Sequence, residues 1–177
     1  MPFKSIEESE SFWYHKVMDE VQQQIRQHLI EYLEGKHAHA SIDDALQDFP
    51  LGIINSKPEN CPHTFWQIIE HIRLTQNDIV DFIVNPNYIE RKWPQDYWPK
   101  PEQAANEQTW NWSVSELKND YQRLKGIVQD PKIDLLKTIP HGTGQTIFRE
   151  VILVIDHNSY HIGQFILMRK MLGKWIS

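Results

Sequence analysis

Nine histidines stand among the 177 residues, and one pair, His157 and His161, has a spacing that lets two side chains act together. Four residues apart on an α-helix, two imidazoles project from one face, one turn apart. Two neutral imidazoles so placed can share a divalent ion, as H-x-x-x-H sites do. With this many histidines about 0.4 such pairs arise by chance, so the surroundings must decide. In VILVIDHNSYHIGQFIL, Val151, Val154, Ile162 and Phe165 lie on neighbouring turns and set the pair near a buried side. Ring nitrogens facing a core are costly without partners, and a metal satisfies one nitrogen of each ring. A third ligand has to come from another helix, and His71 in TFWQIIEHIRLTQNDIV is the candidate. Ile68 and Leu74 lie three residues to either side of it and Thr75 one turn on, which puts it on or beside an inward stripe. The plainer alternative for each of the three is a hydrogen-bonded core or boundary histidine.

The remaining histidines offer less. His15 and His28 have charged and polar neighbours, His37 and His39 follow Gly35 in a loop, His63 precedes a helix start, and His141 sits in an HGTG turn. Gln67, Thr75 and Gln164 lie one turn from a candidate ligand, where they either orient it or its water, or serve as ordinary surface polar residues. No general base is evident. Glu150 is about 10 Å along the helix from His157, and Asp156 and Glu70 adjoin ligands in sequence but point elsewhere on the helix. A single cysteine, Cys61, allows no internal disulfide and no Cys-based zinc site.

The elements that must carry these residues are set out by proline. The ten prolines leave four long free runs, 3–49, 63–85, 102–130 and 141–177, and long helices live where proline is absent. Ser5 with Glu8, Thr64 with Gln67, and Ser113 with Glu116 have capping-box spacing, and Thr143 or Thr146 is a candidate cap for the last run. Apolar residues recur at helical steps in each run, from Phe12, Trp13, Val17, Val21, Ile25, Leu29 and Leu33 in the first to Val151, Val154, Phe165 and Leu172 in the last. Gly35 ends the first. A short helix starts at Ser41, with Asp44 as its box partner. No stretch reads as alternating strands.

These signals predict an all-α four-helix bundle with a long crossover between its second and third long helices. The crossover, about 85–112, holds four of the ten prolines and four of the seven tryptophans, so an ordered strap is expected over a disordered linker. One domain, 1–177, fits the length. Gly163 inside the fourth long helix costs about 1 kcal/mol against alanine, and a packing reason for it is expected. The balance of 18 Lys+Arg against 24 Asp+Glu, a net −6, opposes nucleic acid and anionic lipid as partners. The start MPFKSIEESESFW has no signal-peptide pattern, and no apolar run is long enough to span a membrane. With one cysteine, a cytoplasmic protein is expected.

The chain resembles the DinB/YfiT-like metal-dependent four-helix bundles. The likeness rests on the second-helix histidine in WQIIEHIRLTQNDI, on D-H-x-x-Y-H-x-x-Q from Asp156 to Gln164, and on helix order with a Trp/Pro-rich crossover. It covers nearly the whole chain. It implies a divalent ion, nickel or zinc, held by His71, His157 and His161. It also implies a metal-dependent thiol S-transferase, in which a low-molecular-weight thiol such as bacillithiol or mycothiol attacks a small electrophilic substrate. A homodimer is implied too, to which Trp175 and Ile176 are candidates to contribute. The alternatives are a metal-hydroxide hydrolase and a non-catalytic metal-binding stress-response module.

Overall fold

Local capping chemistry starts the helices where small polar side chains can take up free amides. In the computed structural model, residues 6–35 and 38–175 are described, with 6–12, 14 and 15 as backbone alone. Four long helices appear, α1 (Ile6–Leu33), α3 (Phe65–Val84), α4 (Glu107–Gln129) and α5 (Ile147–Met171), with the short α2 (Ile42–Leu46) after α1. A single 3-10 turn follows at Leu51–Ile53, and the described residues form no strand. Thr64 and Gln67 close a reciprocal box at the start of α3, and Ser41 and Asp44 do the same for α2. Each such cap contributes about 1 kcal/mol. Thr146, and not Thr143, caps α5, while the Thr143 amide donates to Gln145. Gly35, at φ +67, closes the turn after α1. The Ser5–Glu8 box expected for α1 and His37 lie outside the described residues and side chains.

The fourth expected start needs correcting. α4 begins at Glu107 with Asn106 as its cap, whose side-chain oxygen accepts from the Thr109 amide at 2.8 Å. Ser113 lies inside that helix, fully buried, where its hydroxyl donates to Glu70 at 2.8 Å and accepts from the Trp66 indole at 3.2 Å. The connection between α3 and α4 therefore runs 85–106. It is pinned at its far end by Asn55, whose amide group exchanges two 2.8 Å hydrogen bonds with the Ala105 backbone.

Side-chain pairs give the helix directions. Trp66 meets Ser113, Gln76 meets Leu117 and Asn77 meets Asp120, so α3 and α4 run parallel. Phe65 meets Phe165 and Gln76 meets Asn158, so α3 and α5 run antiparallel. Arg26 on α1 donates to the carbonyls of Val128 and Ile133, and Lys125 pairs with Glu34, which sets α1 antiparallel to α4.

The core has two apolar halves. One gathers Phe65, Ile69, Ile72, Trp110, Leu117, Phe165 and Met168; the other gathers Leu29, Leu33, Ile79, Val80, Leu124, Val128, Val151 and Val154. Burying each large side chain stabilises by about 1.5–3 kcal/mol. A polar layer marks the boundary. Buried Asn158 donates to Gln76 at 2.8 Å, and Gln76 donates to the Leu117 carbonyl at 2.7 Å. Such a layer holds register, because a slip leaves these groups unpaired.

Exposure departs from the apolar pattern in α1, and the packing reason expected for Gly163 is not found. The apolar stripe of α1 faces the core only from its middle onward. Trp13 and Val17 are 59% and 52% exposed, whereas Leu29 and Leu33 are buried. Gly163 is exposed, and a Cβ there would meet nothing within 4 Å, so no neighbour requires its glycine. Among the described residues, no helix is long and apolar enough to cross a membrane.

Candidate metal centre

Antiparallel packing of α3 against α5 decides which histidines meet. His71 lies in the second turn of α3, and His157 and His161 lie one turn apart on α5. Their rings converge, with His71 Nε2 at 3.0 Å from His157 Nε2 and 3.1 Å from His161 Nε2. All three donor atoms lie within 4.8 Å of one another. His71 and His161 are buried and His157 is half-buried.

Each outer ring nitrogen faces an oxygen, and for His71 that oxygen fixes the tautomer. The Tyr97 carbonyl, 2.7 Å from His71 Nδ1, only accepts, so Nδ1 carries the proton. Gln164 Oε1 stands 2.8 Å from His161 Nδ1, and Asn158 Oδ1 stands 3.4 Å from His157 Nδ1. With the protons on Nδ1, the inner Nε2 atoms present bare lone pairs to one another. Three facing lone pairs repel unless a cation lies between them. A proton is a poor one here. Burial, with positive charge on neighbouring histidines adding to it, pulls His71 down to about 3 and His161 down to about 4, and burial lowers His157 as well. At neutral pH the rings are neutral, which is the form that ligates metal. Imidazole nitrogens about 2.0–2.1 Å from one ion stand about 3 Å from each other, the spacing His71 Nε2 keeps to each of the other two. The three histidines could therefore hold a metal ion.

Aromatic rings wall the cluster. The Trp98 indole lies flat on the His71 imidazole, with centroids 3.7 Å apart at 5°, and His63 stacks on the other face of Trp98 at 3.8 Å. Tyr160 meets His161 edge-on at 4.9 Å. The crossover thus contributes a carbonyl and an indole to the surroundings of His71. Neither was legible beforehand: a backbone carbonyl has no residue signature, and four tryptophans in one segment gave no sign of which would face inward.

The other candidate positions divide. Gln164 does contact a histidine of the cluster. Thr75 lies one turn beyond His71, and its hydroxyl oxygen is buried with no hydrogen-bond partner. Gln67 is employed elsewhere, since it closes the cap of α3 and donates to the Pro101 carbonyl at 3.2 Å, and no hydrogen bond links it to the three histidines. His141 donates to the Phe82 carbonyl at 2.7 Å in its turn, and His28 faces Glu31 at 3.3 Å. Glu70 pairs with Arg73 on its own helix and accepts from Ser113 of α4, and Asp156 is exposed. Trp175 lies against Arg169 and Lys170, while Ile176 is outside the described residues.

No protein-family model, curated protein or solved structure matches the chain. The described residues define an all-helical fold with three histidines that could hold a metal ion.

Proposed function

We propose that the protein is a divalent-metal-binding protein of the DinB/YfiT-like kind that transfers a small thiol to an electrophile. The observation that carries this reading is the convergence of three histidine Nε2 atoms from two helices. An all-imidazole donor set suits nickel or zinc, and three ligands leave coordination positions free. A bound ion of this kind supplies Lewis acidity, which lowers the pKa of a thiol or water that reaches it.

The chain's own residues favour the thiol. Among the described residues no carboxylate joins the cluster, so no side-chain base stands ready for a weakly acidic nucleophile. A thiol ionises unaided at about 8.5, whereas bulk water needs about 15.7. Tyr97 and Gln164 hold two of the rings from behind, which fixes the direction of their lone pairs. Trp98 covers one face of His71 and keeps water from it. The free thiol Cys61 is outside the cluster, so the sulfur has to arrive on a small molecule.

The test is titration of the cobalt-substituted protein with a small thiol. New sulfur-to-metal charge-transfer absorption supports the reading. An unchanged spectrum with ester or amide turnover replaces it with a hydrolase. A site that admits no added ligand, and whose metal only raises the melting temperature, replaces it with a non-catalytic module.

A further inference from the structure

The stretch of crossover that grips His71 is itself fastened two turns farther along α3. Asp78 lies seven residues after His71, about 10 Å down the same helix face, and it is buried. Its carboxylate accepts the Tyr97 hydroxyl at 2.7 Å and the Tyr88 hydroxyl at 3.1 and 3.2 Å, and it pairs with Arg91 Nε at 3.3 Å. All three partners belong to the crossover. Arg91 also donates to Asn77 at 2.9 Å, and Asn77 donates to Asp120 of α4 at 2.9 Å.

Tyr97 therefore engages α3 at both of its ends. Its carbonyl accepts from His71 Nδ1–H, and its hydroxyl donates to Asp78. A carbonyl can orient a ring only if the carbonyl is itself held. Residues 85–106 include no regular helix or strand to hold it. We propose that Asp78 is a positioning residue for the metal ligand His71, acting through the Tyr97 hydroxyl to keep the Tyr97 carbonyl on Nδ1. This rests on the metal-binding reading above. Without the Asp78–Tyr97 bond the carbonyl drifts, the proton of His71 is no longer confined to Nδ1, and the ring turns its lone pair away from His157 and His161. Partners that orient metal-bound histidines typically change metal affinity by about 10–100-fold when removed.

The test variant is Tyr97→Phe, which deletes the hydroxyl and leaves the carbonyl. Tyr88→Phe is the comparison, since Tyr88 reaches Asp78 and the Tyr97 hydroxyl but offers no group to His71, and the Tyr97–Asp78 bond stays in place. Two quantities are read in each folded variant. One is the Zn2+ dissociation constant by competition with a chromophoric chelator. The other is exchange with solvent of the His71 Nδ1 proton, followed by NMR in metal-free protein. Tyr97→Phe is expected to weaken Zn2+ binding by about 10–100-fold and to speed that exchange, while Tyr88→Phe leaves both near wild type. A folded Tyr97→Phe protein with wild-type affinity and a protected His71 proton overturns the inference. Should Tyr97→Phe not fold, Asp78→Ser withdraws the acceptor from the hydroxyl and is read the same way. Should the wild type bind no Zn2+, the metal-binding reading fails, and the proton exchange still decides whether Asp78 holds His71.

Discussion

Acid should destabilise the metal-free protein well above the range where carboxylates titrate. His71 is held down to about 3 and His161 down to about 4, chiefly by burial, against about 6.5 in an unfolded chain. The folded pKa values are depressed, so below pH 6.5 the unfolded chain binds more protons than the folded one. Stability is then full above 6.5 and lost as pH falls. At pH 5 the unfolded rings are mostly protonated and the folded ones are not, which amounts to about 1.5 pKa units, or about 2 kcal/mol, for each ring. Both rings are nearly fully buried, so screening by solvent removes little of this. Together they give about 4 kcal/mol, which lowers the melting temperature by about 10 °C for a chain of this size. Urea unfolding of metal-free protein at pH 7.5, 6.5, 5.5 and 5.0 measures it, with His71→Gln as the variant. Between pH 7 and 5 the variant should lose less stability than wild type by the share of His71, about 2 kcal/mol. A wild-type stability that is flat from pH 7 to 5, or a His71→Gln slope equal to wild type, would refute the electrostatic account of the cluster.

Two other substitutions probe the scaffold. Gly163→Ala should stabilise by up to about 1 kcal/mol, because the helix gains propensity and the new methyl meets nothing within 4 Å; thermal melts check it, and a loss of stability would reveal a constraint the packing does not show. Asn158→Leu strands the buried Gln76 side-chain oxygen and should cost about 1–3 kcal/mol in urea titration, with Gln76→Leu in the same background recovering part of the loss.

Legibility from sequence followed the range of the interaction. The reciprocal caps Ser41–Asp44 and Thr64–Gln67 are contacts over three residues, and both form as their spacing predicts. Ser113 and Glu116 have the same spacing and do not start a helix, because Asn106 caps the chain earlier and Ser113 is drawn into the contact with Glu70 and Trp66. The i, i+4 pair on α5 needed only helical geometry. Its meeting with His71 depends on how α3 lies against α5, which apolar periodicity suggests but does not specify. Gln67 shows the limit of one-turn proximity: it lies one turn from His71, yet its amide serves the helix cap and the crossover. Trp13 and Val17 continue the period of α1 but remain exposed, since period marks a face and not what covers it. The grip of Tyr97 on His71 is made by a carbonyl, and no residue type announces it.

The most direct measurement is the metal content of the purified protein after equilibrium dialysis against nickel or zinc, beside His71→Ala, His157→Ala and His161→Ala. The account predicts one bound divalent ion per wild-type chain and its loss, or a large fall in affinity, in each variant. A wild-type chain that binds no ion, or three variants that bind as well as wild type, would contradict it.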